Sequence, residues 1–337
     1  MRATMSNGES RTFSYRAGVR VRDSVLACDA TAGGDLIFIS HAEVLGGPAE
    51  RRLPRLRAGR RRILTTETTL ALSGDAGARL RPHALVAAFG RPFHLGALRL
   101  ELFPSGYGPG AASLLCEQEG RRLIYAGPLG IDAPEIRVAD ALCVDGTYGS
   151  SRFVFPAPEQ AVAAVSEFVR DSLGAGRAPV LLTHAHGVQR TVALALERAG
   201  VGLRADRATM TAAAAWRAAG LPVPGLARFA GALGPGEALF WPAQGRDAPI
   251  LKRLAAPAFL LASGAAADAA AVAELRVDAA IPLSATADYA GLLRYIEASE
   301  PREVAVTHAG DGELCQALRR RGVDAYPVGP PEQISLF

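Results

Sequence analysis

Leu36-Ile-Phe-Ile39 is an unbroken apolar run, the pattern of a strand buried on both faces. It gives way to a polar turn that carries His41 and Glu43 and closes on Gly46-Gly47. Upstream, Val19, Val21, Val25 and Leu26 set a strand within 17–28, and the stretch from Asp29 to Gly34 reads as a turn. Downstream, the stretch from Ile63 to Leu72 contains Thr65-Thr-Glu-Thr-Thr69, a strand running into a turn or a helix cap. A short helix from Leu85 to Phe89 is predicted ahead of Gly90. The stretch from Ala97 to Phe103 alternates with a period of two and predicts a strand, followed by a glycine-rich turn from Pro104 to Gly110. Three more short strands, 113–117, 123–125 and 141–145, follow between turn residues. Many short strands broken by glycine predict a β-sandwich with helices outside it.

The pattern changes near Pro156. Helical periodicity over 159–173, 189–199 and 205–219 alternates with strand-like runs at 180–183, 237–241 and 258–261. That alternation predicts an α/β layer built on parallel strands. After Val277 the pattern of the first part of the chain returns, with strands at 280–283 and 303–307 and helices at 289–298 and 313–321. The chain is therefore read as a first domain in two parts, 1–155 and 276–328, around an insertion at 156–275, with an extended tail at 329–337.

Composition adds bounds rather than detail. Of the 337 residues, 49% are apolar and 21% charged, enough to bury a large core and too apolar for a disordered chain. There is no apolar run of membrane-spanning length and no secretory pattern in Met1 to Arg16, so a cytoplasmic protein without a membrane partner is expected. Cys28, Cys116, Cys143 and Cys315 are scattered through apolar segments and are expected to be buried free thiols. The net charge is +4 and Lys252 is the only lysine, so the basicity is arginine. Seven arginines crowd one segment: Arg51, Arg52, Arg55, Arg57, Arg60, Arg61 and Arg62. Such a cluster is either a solvated face or a phosphate-tracking patch, because guanidinium forks pair with phosphate oxygens.

The polar turns carry the candidate chemistry: Asp35 and His41 around the first strand, Pro104-Ser-Gly-Tyr107-Gly, Tyr125-Ala-Gly127-Pro128, Asp145-Gly-Thr-Tyr-Gly, Leu283-Ser-Ala-Thr286-Ala-Asp288 and Val306-Thr-His308. In order and spacing they resemble the β-CASP branch of the metallo-β-lactamase-fold nucleases, which includes ligase-associated exonucleases and RNA 3′-end-processing nucleases. The resemblance covers nearly the whole chain. It implies an α/β fold, a metallo-β-lactamase αββα sandwich with an inserted β-CASP-like domain. Most of the family's metal groups are replaced. Glu43, Leu45 and Gly46 stand for the second His, the Asp and the last His of the first motif. Tyr107 stands for a metal histidine, Pro128 for the bridging aspartate, and Thr286 for the histidine expected to act as acid.

Two-metal phosphodiester hydrolysis needs two cations about 4 Å apart, held and bridged by such groups. The resemblance therefore implies a pseudo-nuclease with no cofactor, in which His41, Glu43, Asp145 and His308 are vestigial. The alternative is a metal-dependent exonuclease or endonuclease that holds zinc or manganese on those same four residues. A third possibility is a purely architectural subunit. Thr183-His184-Ala-His186-Gly imitates a His-x-His motif, but Val188 and Gln189 follow where an Asp-His pair belongs, so a groove-lining turn is expected there.

The tail, Pro330-Pro-Glu-Gln333-Ile334-Ser335-Leu336-Phe337, has no periodicity, and its prolines disfavour a helix. Gln333-Ile334-Ser335-Leu336-Phe337 resembles the peptide by which bacterial replication and repair proteins dock on the sliding clamp. In that reading Leu336 and Phe337 fill an apolar pocket, with an affinity of roughly micromolar order. The expected function is a nucleic-acid- and protein-binding accessory factor in DNA repair or replication. Its expected partners are the clamp, DNA (or RNA), and an active nuclease, ligase or polymerase.

Overall fold

In the computed structural model, residues 11–45, 62–131, 134–183 and 188–330 are described. They fall into two units, one drawn from Met1–Ser150 and Gly291–Phe337, the other from Ser151–Ala290. The first unit opens with a sheet of six strands among the described residues: β1 (Phe13–Tyr15), β2 (Val19–Val21), β3 (Leu26–Cys28), β4 (Leu36–Phe38), β5 (Arg62–Thr65) and β6 (Ala84–Val86). β1 to β3 pair antiparallel, and β3 to β6 pair parallel. β4 lies inside this sheet, which is why its residues are apolar on both faces. Leu36 and Phe38 enter one core with Leu26, Cys28 and Leu64. Ile37, Ile39 and Ile63 enter another with Leu70, Ala76 and Leu80, from α1 (Glu67–Leu72) and α2 (Gly74–Leu80).

Residues 84–86 pair as a strand with β5, where the local pattern predicts a helix over 85–89. Five residues are too few to separate the two periodicities. Leu85 and Ala87, two apart, both pack on the inner core, as strand geometry demands. Thr66 does cap α1: its hydroxyl accepts from the Thr69 N–H at 3.1 Å and donates to the Gly110 carbonyl at 2.7 Å.

The second sheet begins with β7 (Phe93–Leu95), β8 (Leu98–Pro104), β9 (Ala112–Gln118), β10 (Arg121–Gly127) and β11 (Ala141–Asp145). Leu98, Leu100, Leu102, Leu114, Cys116 and Tyr125 point into the core that Leu36 and Phe38 enter, so the two sheets share one apolar interior.

The second unit follows. It contains α3 (Pro158–Gly174), β12 (Ala178–Thr183), α4 (Val188–Arg198), β13 (Gly202–Ala205), α5 (Arg207–Ala218), β14 (Leu226–Arg228), β15 (Glu237–Pro242), β16 (Pro257–Ala262), α6 (Ala269–Leu275) and β17 (Ala279–Ile281). Its strands pair parallel throughout, in the order β14-β13-β15-β12-β16-β17. The run near Ala280, read from sequence with the returning first domain, instead extends this parallel sheet, with Leu260 opposite Ala279. One core of the unit gathers Val165, Val169, Leu181, Val192, Leu196 and Phe240; a second gathers Val180, Leu182, Leu239, Phe259 and Leu261 on the other face.

The chain then passes through α7 (Tyr289–Ser299) to β18 (Glu303–Thr307), α8 (Glu313–Arg320) and β19 (Asp324–Pro327). β18 lies parallel between β11 and β19, completing the second sheet of the first unit. Ala305 and Tyr326 face the shared interior. The β18–α8–β19 crossover must then lie on the outer face, where α8 buries Leu314, Cys315 and Leu318. All four cysteines are buried and unpaired, as expected. Among the described residues no helix is long and apolar enough to cross a membrane.

Candidate functional site

The polar turns of the first unit meet at one end of its two sheets. β4 runs through Ile39 into Ser40, which is fully buried, and the 3-10 turn Ala42–Leu45 follows. Ser40 is held by Asp29: its N–H donates to one carboxylate oxygen at 2.8 Å and its hydroxyl to the other at 2.6 Å. The Tyr125 hydroxyl, from the opposite sheet, donates to the same carboxylate at 2.9 Å. Burial beside Asp29 drives that hydroxyl's pKa up, so it stays a donor. The Ser40 carbonyl accepts from the Ala112 N–H at 2.8 Å, tying the end of β4 to β9.

His41 Nδ1 lies 2.8 Å from the Ser40 hydroxyl oxygen. A carboxylate only accepts, so the Ser40 proton goes to Asp29 and its oxygen is left to accept from His41 Nδ1–H. That order puts the lone pair of the imidazole on Nε2, for which no hydrogen bond is seen among the described residues. The carboxylate that positions His41 is therefore Asp29. Asp35, matched by motif to the start of the first pattern, is exposed at the far end of β4, where its carbonyl accepts from the Arg62 N–H.

Tyr107 fills the space beside the imidazole. Its ring meets His41 edge-on, with centroids 5.2 Å apart, and its hydroxyl donates to Glu43 Oε2 at 2.8 Å. Burial, with the Glu43 and Asp145 carboxylates near, raises its pKa far above the usual phenol range. The turn that carries it is fixed by close backbone packing. A Cβ on Gly130 would sit 1.7 Å from the Gly106 carbonyl carbon, and the Gly130 N–H donates to the Ser105 carbonyl at 2.8 Å. Gly127, in the left-handed region at φ +64°, lies against Ser40.

Asp145, at the end of β11, accepts from the Thr147 N–H at 2.8 Å and hydroxyl at 2.6 Å on one oxygen. Its other oxygen faces His308 Nδ1 at 3.3 Å. Burial works to raise the Asp145 pKa, but the His308 and Thr147 hydrogen bonds outweigh it and hold the carboxyl below its ordinary value. The same hydrogen bond raises the His308 imidazole, although that side chain is 72% exposed. His308 itself is in the left-handed region, at φ +48°.

His41 and Glu43 are thus joined through Tyr107, and Asp145 with His308 forms a separate pair. Among the described residues no three His, Cys, Asp or Glu side chains gather where they could hold a metal ion. Glu43 and Asp145 each already accept from protein donors. This donor set does not fit a two-cation centre. Thr286, the residue expected in place of the acid, has its N–H on the Ser284 hydroxyl in the second unit. Arg62 opens β5 and is exposed; Arg51, Arg52, Arg55, Arg57, Arg60 and Arg61 lie outside the described residues. So do His184 and His186, and so does the tail from Gln333 to Phe337. Sequence reasoning missed the Asp29–Ser40–Tyr125 network, whose only sequence signals were a polar Ser between Ile39 and His41 and an Asp closing an apolar strand.

No protein-family profile matches the chain. It is similar to a probable DNA ligase of Opitutus terrae, 28% identical over 259 residues. The match takes in 74% of this chain and 26% of the ligase, so the chain spans about a quarter of that relative's length.

Proposed function

We propose that this chain is a metallo-β-lactamase/β-CASP-like protein without nuclease activity, a nucleic-acid- and protein-binding accessory factor in DNA repair or replication. The observation that carries the reading is the Tyr107–Glu43 hydrogen bond, set against the His41 ring where a metal histidine would otherwise stand. Two sheets sharing one core, with helices outside, and a separate parallel α/β unit suit the αββα sandwich and its insertion. The similarity to a probable DNA ligase supports a DNA-processing setting and makes a ligase the first partner to test, ahead of a nuclease or polymerase. The tail from Gln333 to Phe337 adds the sliding clamp as a partner, a weak contact that gains residence when the chain also holds DNA. The reading implies no cofactor.

A nuclease assay with manganese, zinc or magnesium on labelled DNA and RNA tests it, with His41→Ala and His308→Ala as controls. The expected result is no cleavage above buffer. Divalent-dependent cleavage lost in both variants would overturn it. In a pull-down the sliding clamp should retain the wild type and release Leu336→Ala/Phe337→Ala; equal capture would remove the clamp as a partner. One observation favours the alternative of an altered metal site on His41, Glu43, Asp145 and His308. The Asp29–Ser40 pair holds His41 by Nδ1, the kind of hold given to histidines that bind a metal through the other ring nitrogen.

A further inference from the structure

In the second unit, β12 leads through α4 to β13 on one side, while β15 leads across to β16 on the other. Connections that leave neighbouring strands in opposite directions open a crevice at the carboxyl ends of those strands, where sheets of this kind receive ligands. The groups on the β14 side of that crevice are basic. Arg190 lies in the first turn of α4, Arg207 is the first residue of α5, and Arg228 ends β14 opposite Ala205.

A buried polar pin holds these ends together. The Gln189 amide donates at 3.0 Å to both the Thr183 and Thr209 hydroxyls, joining β12, α4 and α5; Gln189 is 2% exposed, and its Oε1 has no partner among the described residues. Asp206, the acid beside Arg207, is spent capping α5 through the Ala208 and Thr209 N–H groups. The exposed guanidinium groups of Arg207 and Arg228 meet no carboxylate among the described residues. Among the described residues Arg190 reaches the Pro222 carbonyl, at 3.5 Å, and no carboxylate. On the other half of that edge Asp268, which caps α6, is paired with Arg152. The basic groups left for a ligand at this edge therefore gather on its β14 half.

We infer that the carboxyl edge of this parallel sheet, from β14 to β12, binds the phosphate backbone of a single-stranded nucleic acid through Arg190, Arg207 and Arg228. Three strand spacings of about 4.8 Å give a track of about 14 Å. That is enough to meet more than one phosphate of a strand. Guanidinium forks on rigid helix and strand ends suit phosphate oxygens. The inference rests on the nucleic-acid-binding reading above and assigns it a surface separate from the arginine-rich segment 51–62.

The test is fluorescence anisotropy of the full chain with a labelled single-stranded DNA oligonucleotide, and with RNA of the same sequence, across a salt series. Arg207→Ala/Arg228→Ala is compared with wild type and with Arg60→Ala/Arg61→Ala/Arg62→Ala. Neither Arg207 nor Arg228 has a carboxylate partner to lose among the described residues, so the thermal midpoint of the double variant should match wild type. Its affinity should fall at least about fivefold, and the log–log salt slope should flatten by about 1.4, the release from two phosphates. Wild-type affinity and slope in a folded Arg207→Ala/Arg228→Ala variant would overturn the edge site while leaving nucleic-acid binding standing. No binding by the wild type to either probe would overturn both.

Discussion

Tyr107 is the residue that joins His41 and Glu43 in the candidate site. Its hydroxyl has the Glu43 carboxylate as acceptor and its ring covers the His41 imidazole. Tyr107→Phe should leave Glu43 without that donor and lower stability by about 1 kcal/mol in urea titration. The double variant Tyr107→Phe/Glu43→Gln should recover part of the loss, and a Tyr107→Phe protein as stable as wild type would show the contact to be idle. Asp145 and His308 predict a pH dependence. The depressed Asp145 carboxyl contributes stability above the ordinary carboxylate range and loses it as pH falls through its folded pKa. The raised His308 imidazole contributes stability below about pH 6.5 and loses it as pH rises through its folded pKa. The pair is therefore strongest between those limits. Urea midpoints should drop from pH 6 toward pH 8, and His308→Ala should reduce that drop; a profile that His308→Ala leaves unchanged would show that the pair contributes nothing.

At the scale of elements, the site is a set of turns pinned to each other across two sheets. Gly130→Ala would drive a methyl group into the backbone at Gly106, with a cost of about 3 kcal/mol or more if the chain folds at all. Thr66→Ala should cost about 1–2 kcal/mol, because it removes both the cap of α1 and the hold on the Gly110 carbonyl. Thermal melts of the two variants measure both. The long periodic helices, such as Pro158–Gly174 and Arg207–Ala218, and the buried run of β4 were legible in the sequence, because each repeats its signal over several turns or faces. The three-residue strands at 84–86 and 226–228 were not, since pairing with a neighbour rather than local pattern makes them strands. Within the site, His41, Glu43, Asp145 and His308 could be named from motif spacing. Asp29 could not be paired with Ser40, because their contact arises from the parallel packing of β3 on β4, eleven residues apart in sequence.

For the whole molecule, the proposed function makes the first unit a hydrolase-like scaffold whose ion-gripping groups have been exchanged for hydrogen bonds, and gives the second unit a basic edge. Its DNA setting rests on similarity to a quarter of a probable DNA ligase, so a ligase belongs in the same binding experiments as the clamp. At the centre stands the claim that the turns around His41 and His308 hold no cations. The most direct measurement is the metal content of the full chain, purified without a chelating tag and dialysed against zinc and manganese in turn. The expected content is far less than one ion per chain, unchanged by His41→Ala or His308→Ala. One or two tightly held ions per chain, lost in those variants, would contradict it.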